Sequence, residues 1–139
     1  YKIQYAHARV CSLFRRAAEK GLAWRGLDAG DALALTAPEE RDLLREVAQL
    51  PATVEKCVRA LDPQPMATYL LGLADLFNRY WSLAKVDPDY RMLDEAHPAR
   101  TQTRLSFAAA IRVALANGLR LLGVEAPERM EREEEAAEN

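Results

Sequence analysis

Leu105-Ser106-Phe107-Ala108-Ala109-Ala110-Ile111-Arg112-Val113-Ala114-Leu115-Ala116-Asn117-Gly118-Leu119-Arg120-Leu121-Leu122 is the stretch whose reading decides the fold. Its residue types are helical, and Leu105, Phe107, Ile111, Val113, Leu115, Leu119, Leu121 and Leu122 leave it apolar nearly all round. A helix without a clear polar face belongs at the centre of other helices. With the residues before it, the helix is predicted over about 99–123, and Gly123 suits the left-handed position that closes it.

Working outward, residues 65–85 predict a second long helix, rich in aromatics (Tyr69, Phe77, Tyr80, Trp81). Its polar side is narrow (Asp75, Asn78, Arg79), so most of its circumference should also be covered. A polar loop at 86–98, bounded by Asp87-Pro88 and His97-Pro98, joins these two helices. Upstream, Asp62-Pro63-Gln64-Pro65 breaks a helix, because a residue before proline is pushed out of helical geometry. The helix it breaks follows Pro51 and carries Val54, Cys57, Val58 and Leu61 at the spacing of one apolar stripe. Before it, about 38–50 forms another helix (Leu43, Leu44, Val47, Leu50). Thr36-Ala37-Pro38-Glu39 has the capping-box spacing at its start. Residues 21–37 read as a connector with Gly21, Gly26 and Gly30, whose Leu22, Trp24, Leu27, Leu33 and Leu35 suggest a loop packed onto the body.

The first helix, 1–20, has two distinct faces. Ile3, Ala6, Val10, Leu13, Phe14 and Ala17 share one side of a wheel turning ~100° per residue. Tyr5, Arg9, Ser12 and Arg16 share another, rotated by roughly 115°. That second stripe is aromatic and basic together, which a merely solvated face seldom needs. The expected fold is therefore all-α, a bundle of about five main helices over 1–130, with an acidic tail at 131–139. No strand, internal repeat or second domain is predicted.

The 139 residues are 50% hydrophobic and 29% charged, enough apolar material for one domain's core. No apolar run approaches the ~20 residues a bilayer needs, and the opening Tyr1-Lys2-Ile3-Gln4 is neither a signal nor a transit peptide. Cys11 and Cys57 are too few for a disulfide scaffold and read as small buried thiols in a reducing compartment, the cytoplasm. The chain begins without methionine, in mid-pattern, and reads as a piece of something longer.

Net charge is −2, but its distribution says more. Residues 131–139 hold five acids and one base, a net of −4. Residues 1–25 hold Lys2, Arg9, Arg15, Arg16, Lys20 and Arg25 against Glu19 alone, a net of +5. Residues 98–124 hold Arg100, Arg104, Arg112 and Arg120 with no acid, a net of +4. Such blocks raise the local potential toward a polyanion such as nucleic acid.

Catalytic patterns are missing. There is no phosphate-binding G-x-x-x-x-G-K-[ST], no G-x-G-x-x-G and no G-x-S-x-G. His7, His97 and two distant cysteines give no zinc spacing. The acids Asp87, Asp89, Asp94 and Glu95 lack the glycine a calcium loop needs, Met92 standing in its place. No catalytic, metal or cofactor site is expected in this chain. Binding is the better prospect. Tyr5 can offer a ring face to an unstacked base while Arg9 and Arg16 meet phosphates, as in single-stranded RNA recognition. On spacing alone an edge-of-core tyrosine is an equal reading of Tyr5. Tyr69 and Tyr80 read as core rings with solvated hydroxyls, and His7 as packing beside the first helix's core. Arg129 and Met130, after Pro127, have no explanation in periodicity.

Gln4-Tyr5-Ala6-His7-Ala8-Arg9-Val10-Cys11-Ser12 closely resembles the opening helix of the anticodon-binding domain of arginyl-tRNA synthetases, the DALR domain. Further matches follow in the family's order. They are Pro38-Glu39-Glu40-Arg41-Asp42-Leu43-Leu44, Tyr69-Leu70 through Phe77-Asn78-Arg79-Tyr80, Arg104-Leu105, and Asn117-Gly118-Leu119-Arg120-Leu121-Leu122-Gly123 through Ala126-Pro127-Glu128-Arg129-Met130. The resemblance implies an all-helical domain that grips the anticodon stem-loop of arginine tRNA. It also implies a class I catalytic domain elsewhere in the parent chain, using ATP with magnesium, and a monomer. It places anticodon contacts on Tyr5, Tyr69 and Met130. Nine residues follow Met130, where family members usually stop; an acidic extension there would repel anticodon phosphates. The loop at 86–98 is also longer than is typical. The rival reading is a free-standing helical protein-interaction module whose basic face meets an acidic partner.

Overall fold

The apolar stretch at 105–122 lies within the longest helix of the computed structural model, which describes residues 1–27 and 35–130. Five α-helices run in chain order: α1 (Lys2–Glu19), α2 (Pro38–Ala48), α3 (Leu50–Ala60), α4 (Gln64–Val86) and α5 (Pro98–Leu121). A 3-10 turn, Pro88–Tyr90, sits in the loop before α5. Among the described residues there is no strand, and no helix is long and apolar enough to cross a membrane. Residues 131–139 and part of the connector, Leu33 included, lie outside the described residues.

α5 is central, as its composition demands. Leu105, Phe107, Ile111 and Leu115 are sealed from solvent, and each contributes about 1.5–3 kcal/mol by burial. It packs against α1, α2 and α4. Gly118 lets α5 pack tightly on α4: a methyl at that position would stand 2.5 Å from Leu70 Cδ2 of α4, so the sealed Leu70 side chain would have to shift to admit a larger residue. Gly123 closes the α5 end at φ +72°. The first helix buries its predicted apolar side through Ala6, Val10, Leu13 and Ala17, with Ile3 and Phe14 partly covered. The connector's Leu22, Trp24 and Leu35 do pack on the body, and Trp24 Nε1 donates to Ser106 Oγ at 2.9 Å. Leu27 does not; it is exposed.

Three further local expectations fail, the first two for a visible physical reason. α2 starts after Ala37, whose extended backbone makes it the cap, and no side chain caps the helix. Pro38 opens the helix one residue too late for Thr36 to reach a free N–H, and Glu39 instead accepts from Tyr90 Oη at 2.7 Å. The apolar stripe of α3 is only half used. Val54 and Cys57 pack on the core, whereas Val58 and Leu61 are exposed. Leu61 has already turned into the left-handed region (φ 50°, ψ 41°) ahead of the proline-rich break, so its side chain leaves the stripe. Finally, Cys57 is only half-buried, although Cys11 is fully so.

Candidate nucleic-acid interface

Between α1 and α4, on the side where the chain passes residue 130, lies an open concavity of about 520 Å³. Its α1 wall is Tyr5, Arg9 and Arg15, and the small Ala8 and Ser12 between them make the hollow. Trp81 and Lys85 of α4 face them, and Arg129 and Met130 close the end. Among the described residues no acidic side chain lines it. Three of the five residues singled out from sequence, Tyr5, Arg9 and Met130, therefore meet in one place.

Arg9 organises this wall. Its guanidinium carbon lies 4.7 Å from the Tyr5 ring centroid and 5.2 Å from that of Trp81, an arrangement in which the ring quadrupoles attract the cation. Its two terminal nitrogens donate to Tyr5 Oη at 3.1 Å and to Asn78 Oδ1 at 2.8 Å. The Tyr5 ring is half-buried, and Tyr1 stacks near it at 6.4 Å between centroids. The ring is thus partly covered and lines the concavity.

Met130 reaches the concavity because α1 holds the chain that leads to it. Gln4 Nε2 donates to Glu125 O at 3.1 Å, His7 Nδ1 donates to Pro127 O at 2.8 Å, and Arg15 Nη1 donates to Glu128 O at 3.1 Å. Val124, just past Gly123, donates its N–H back to Leu119 O. Periodicity could not show this, because the segment after α5 has no regular structure of its own. His7 is 5% exposed and serves this contact rather than only filling space. Its ring also touches Cys11 Sγ at 3.9 Å, and burial pushes the Cys11 thiol above its ordinary range, which suits a packing role.

Arg16 lines a neighbouring, smaller concavity rather than this one, and its guanidinium carbon sits 5.3 Å from the centroid of the Trp81 ring that both share. Tyr69 is elsewhere. Its ring is 7% exposed, in the core between α4 and α2, and its hydroxyl donates to Glu46 O at 2.6 Å. Burial pushes its pKa up to about 12. The hydroxyls of Tyr69 and Tyr80 are not solvated as expected; that of Tyr80 is buried with no hydrogen-bond partner among the described residues.

The second basic block does not gather at a surface. Arg104 is 6% exposed, pairs with Glu40 at 3.5 Å, and donates to the carbonyls of Asp89 and Arg91. Arg100 pairs with Asp94 at 2.8 Å, and Arg112 lies 4.1 Å over the Phe14 ring. These three are held by the fold. The 86–98 loop holds two of them, Arg104 through the carbonyls of Asp89 and Arg91 and Arg100 through Asp94. Sequence reasoning missed Trp81, Lys85, Arg15 and Asn78. A usable signal existed in the Asn78-x-x-Trp81-x-x-x-Lys85 spacing, which puts all three on one helix face. Among the described residues no group of three or more His, Cys, Asp or Glu is placed to hold a metal ion.

Comparison with known proteins gives the family. The DALR anticodon binding domain family matches residues 3–130. The arginine–tRNA ligase of Desulfitobacterium hafniense is 41% identical over 131 residues, and that of Frankia alni is 42% identical over 130. Each alignment covers 94% of this chain, but only 22% and 23% of those enzymes. The structure of Thermus thermophilus arginyl-tRNA synthetase superposes with a TM-score of 0.70 at 29% identity, covering 92% of this chain and 20% of that one. The chain thus spans about a fifth of the length of the relatives it matches, and it belongs to the DALR anticodon-binding domain family.

Proposed function

We propose that this chain binds the anticodon stem-loop of arginine tRNA for a class I arginine–tRNA ligase whose catalytic part lies outside these residues. The observation that carries the reading is the convergence of Tyr5, Arg9 and Met130 on one concavity that, among the described residues, no acid lines. The family match over nearly the whole chain supports it. In this reading the Tyr5 ring and the Met130 thioether take the apolar faces of unstacked anticodon bases. Arg9 and Arg16 neutralise neighbouring phosphates and so fix the register of the loop. Backbone groups at 125–130, held still by Gln4, His7 and Arg15, are positioned to discriminate base edges.

Tyr69 takes a different part from the one its resemblance implies. A ring sealed between α2 and α4 has no face to offer a base, so we assign it the positioning of α2. ATP and magnesium would serve the catalytic part of the parent enzyme, and this chain's residues are assigned no part in holding them. A cytoplasmic, monomeric enzyme accompanies this reading.

The test is a titration of the chain with the arginine-tRNA anticodon stem-loop and with a loop altered only at the central anticodon base. The proposal expects that single change to abolish most of the binding. Equal affinity for the two loops would reduce the interface to unspecific electrostatic adhesion, or to the basic face of a protein-interaction module.

A further inference from the structure

Four cations converge on the far side of Trp81 from Tyr5. Arg16 and Lys20 at the end of α1, Lys85 of α4 and Arg91 of the following loop line a concavity of about 240 Å³. Its floor is apolar, from Leu13, Met92 and Leu93, and among the described residues no carboxylate lines it. Among the described residues none of the four is ion-paired, although Lys2, Arg45, Arg59, Arg100 and Arg104 all are. In a chain of net charge −2, leaving four like charges together without a counter-carboxylate is costly, and a cleft lined by one sign concentrates the field that draws an anion. Trp81 and Lys85 are shared with the Tyr5 concavity, so the two form one continuous track.

We propose that this second concavity is a phosphodiester subsite, in which Lys20 and Arg91, with Arg16 and Lys85, hold the backbone of the nucleotides next to those read at Tyr5. The inference rests on the RNA-binding reading above and extends its phosphate contacts from Arg9 and Arg16 to Lys20, Lys85 and Arg91. Contacts to phosphate orient and attract; they do not choose among bases. Base reading then stays on the Tyr5 side of Trp81, and the cations on its far side act on the backbone alone.

The test is the affinity for the anticodon stem-loop across a series of salt concentrations, for the parent chain and for K20Q, R91Q and the double variant. Each exposed cation that meets a phosphate should lower the slope of log K against log salt by about 0.7–0.9 when removed. The double variant should therefore lose roughly twice that, while its preference for the parent loop over the base-changed loop stays as it was. An unchanged slope, or a collapse of that preference, overturns the subsite. Should no loop bind at all, quenching of Trp81 fluorescence by inorganic tripolyphosphate decides the matter separately. Saturable quenching lost in K20Q/R91Q keeps the anion subsite while the RNA reading falls, and quenching indifferent to both substitutions removes the subsite as well.

Discussion

Residues 1–25 and 98–124 carry nearly the same excess of positive charge, +5 and +4, and the fold uses most of it differently. On α1, Arg9, Arg15 and Arg16 end beside open concavities lined by aromatic rings and, among the described residues, by no acids, although Lys2 pairs with Asp75. On α5, Arg104 and Arg100 end in ion pairs, Arg112 lies over Phe14 away from those concavities, and Arg120 alone of these arginines is exposed. The difference is burial. α5 runs through the middle of the bundle, so a cation placed there must find a carboxylate or carbonyls within reach or lose its solvation uncompensated. α1 lies at the edge, where a cation can keep water until a ligand arrives. Charge density along a sequence therefore counts cations without saying which ones are available.

The largest effect should come from breaking the buried side of this comparison. Arg104→Met leaves Glu40 inside the bundle without its cation, and should destabilise the chain by about 3–5 kcal/mol in denaturant unfolding. Its pH dependence has a definite sign. Burial already raises the Glu40 pKa, and Arg104 opposes that rise. Removing the arginine raises it further, so the folded state holds its proton more tightly than the unfolded state does. The deficit should therefore be smallest in acid and grow as the pH climbs through the folded-state pKa. A pH-independent deficit would mean that Glu40 is not the group left stranded.

Two tyrosines sharpen the same contrast. Tyr5→Ala should weaken stem-loop binding by about 1–3 kcal/mol, the usual worth of one stacked base, with little change in unfolding midpoint. Tyr69→Phe should do the reverse. It should cost about 0.5–1.5 kcal/mol of stability through the lost hydrogen bond to Glu46 O, and leave affinity unchanged. Affinity loss in Tyr69→Phe, measured by titration on the folded protein, would return that residue to the interface.

Much of the fold was legible because its strongest signals are periodic. The all-round apolarity of 105–122 predicted a central helix, and the two faces of α1 predicted both its packing side and the wall of the concavity. What escaped depends on contacts distant in sequence. The capture of residues 125–128 by Gln4, His7 and Arg15 crosses more than a hundred residues, and nothing local announces it. Tyr69 shows the converse. A tyrosine on an aromatic helix has the same local pattern whether its ring meets a base or the neighbouring helix. Only the position of α2 decides, and that position was not in the pattern.

Where the anticodon rests can be read directly by photocrosslinking. A stem-loop carrying 5-iodocytidine at the central anticodon position, which keeps the cytosine read there, irradiated in complex with the chain and mapped by peptide mass spectrometry, should label the segments holding Tyr5–Arg9 or Arg129–Met130. Label confined to the α2–α3 surface around Val58 and Leu61, with none on those two segments, would contradict the account.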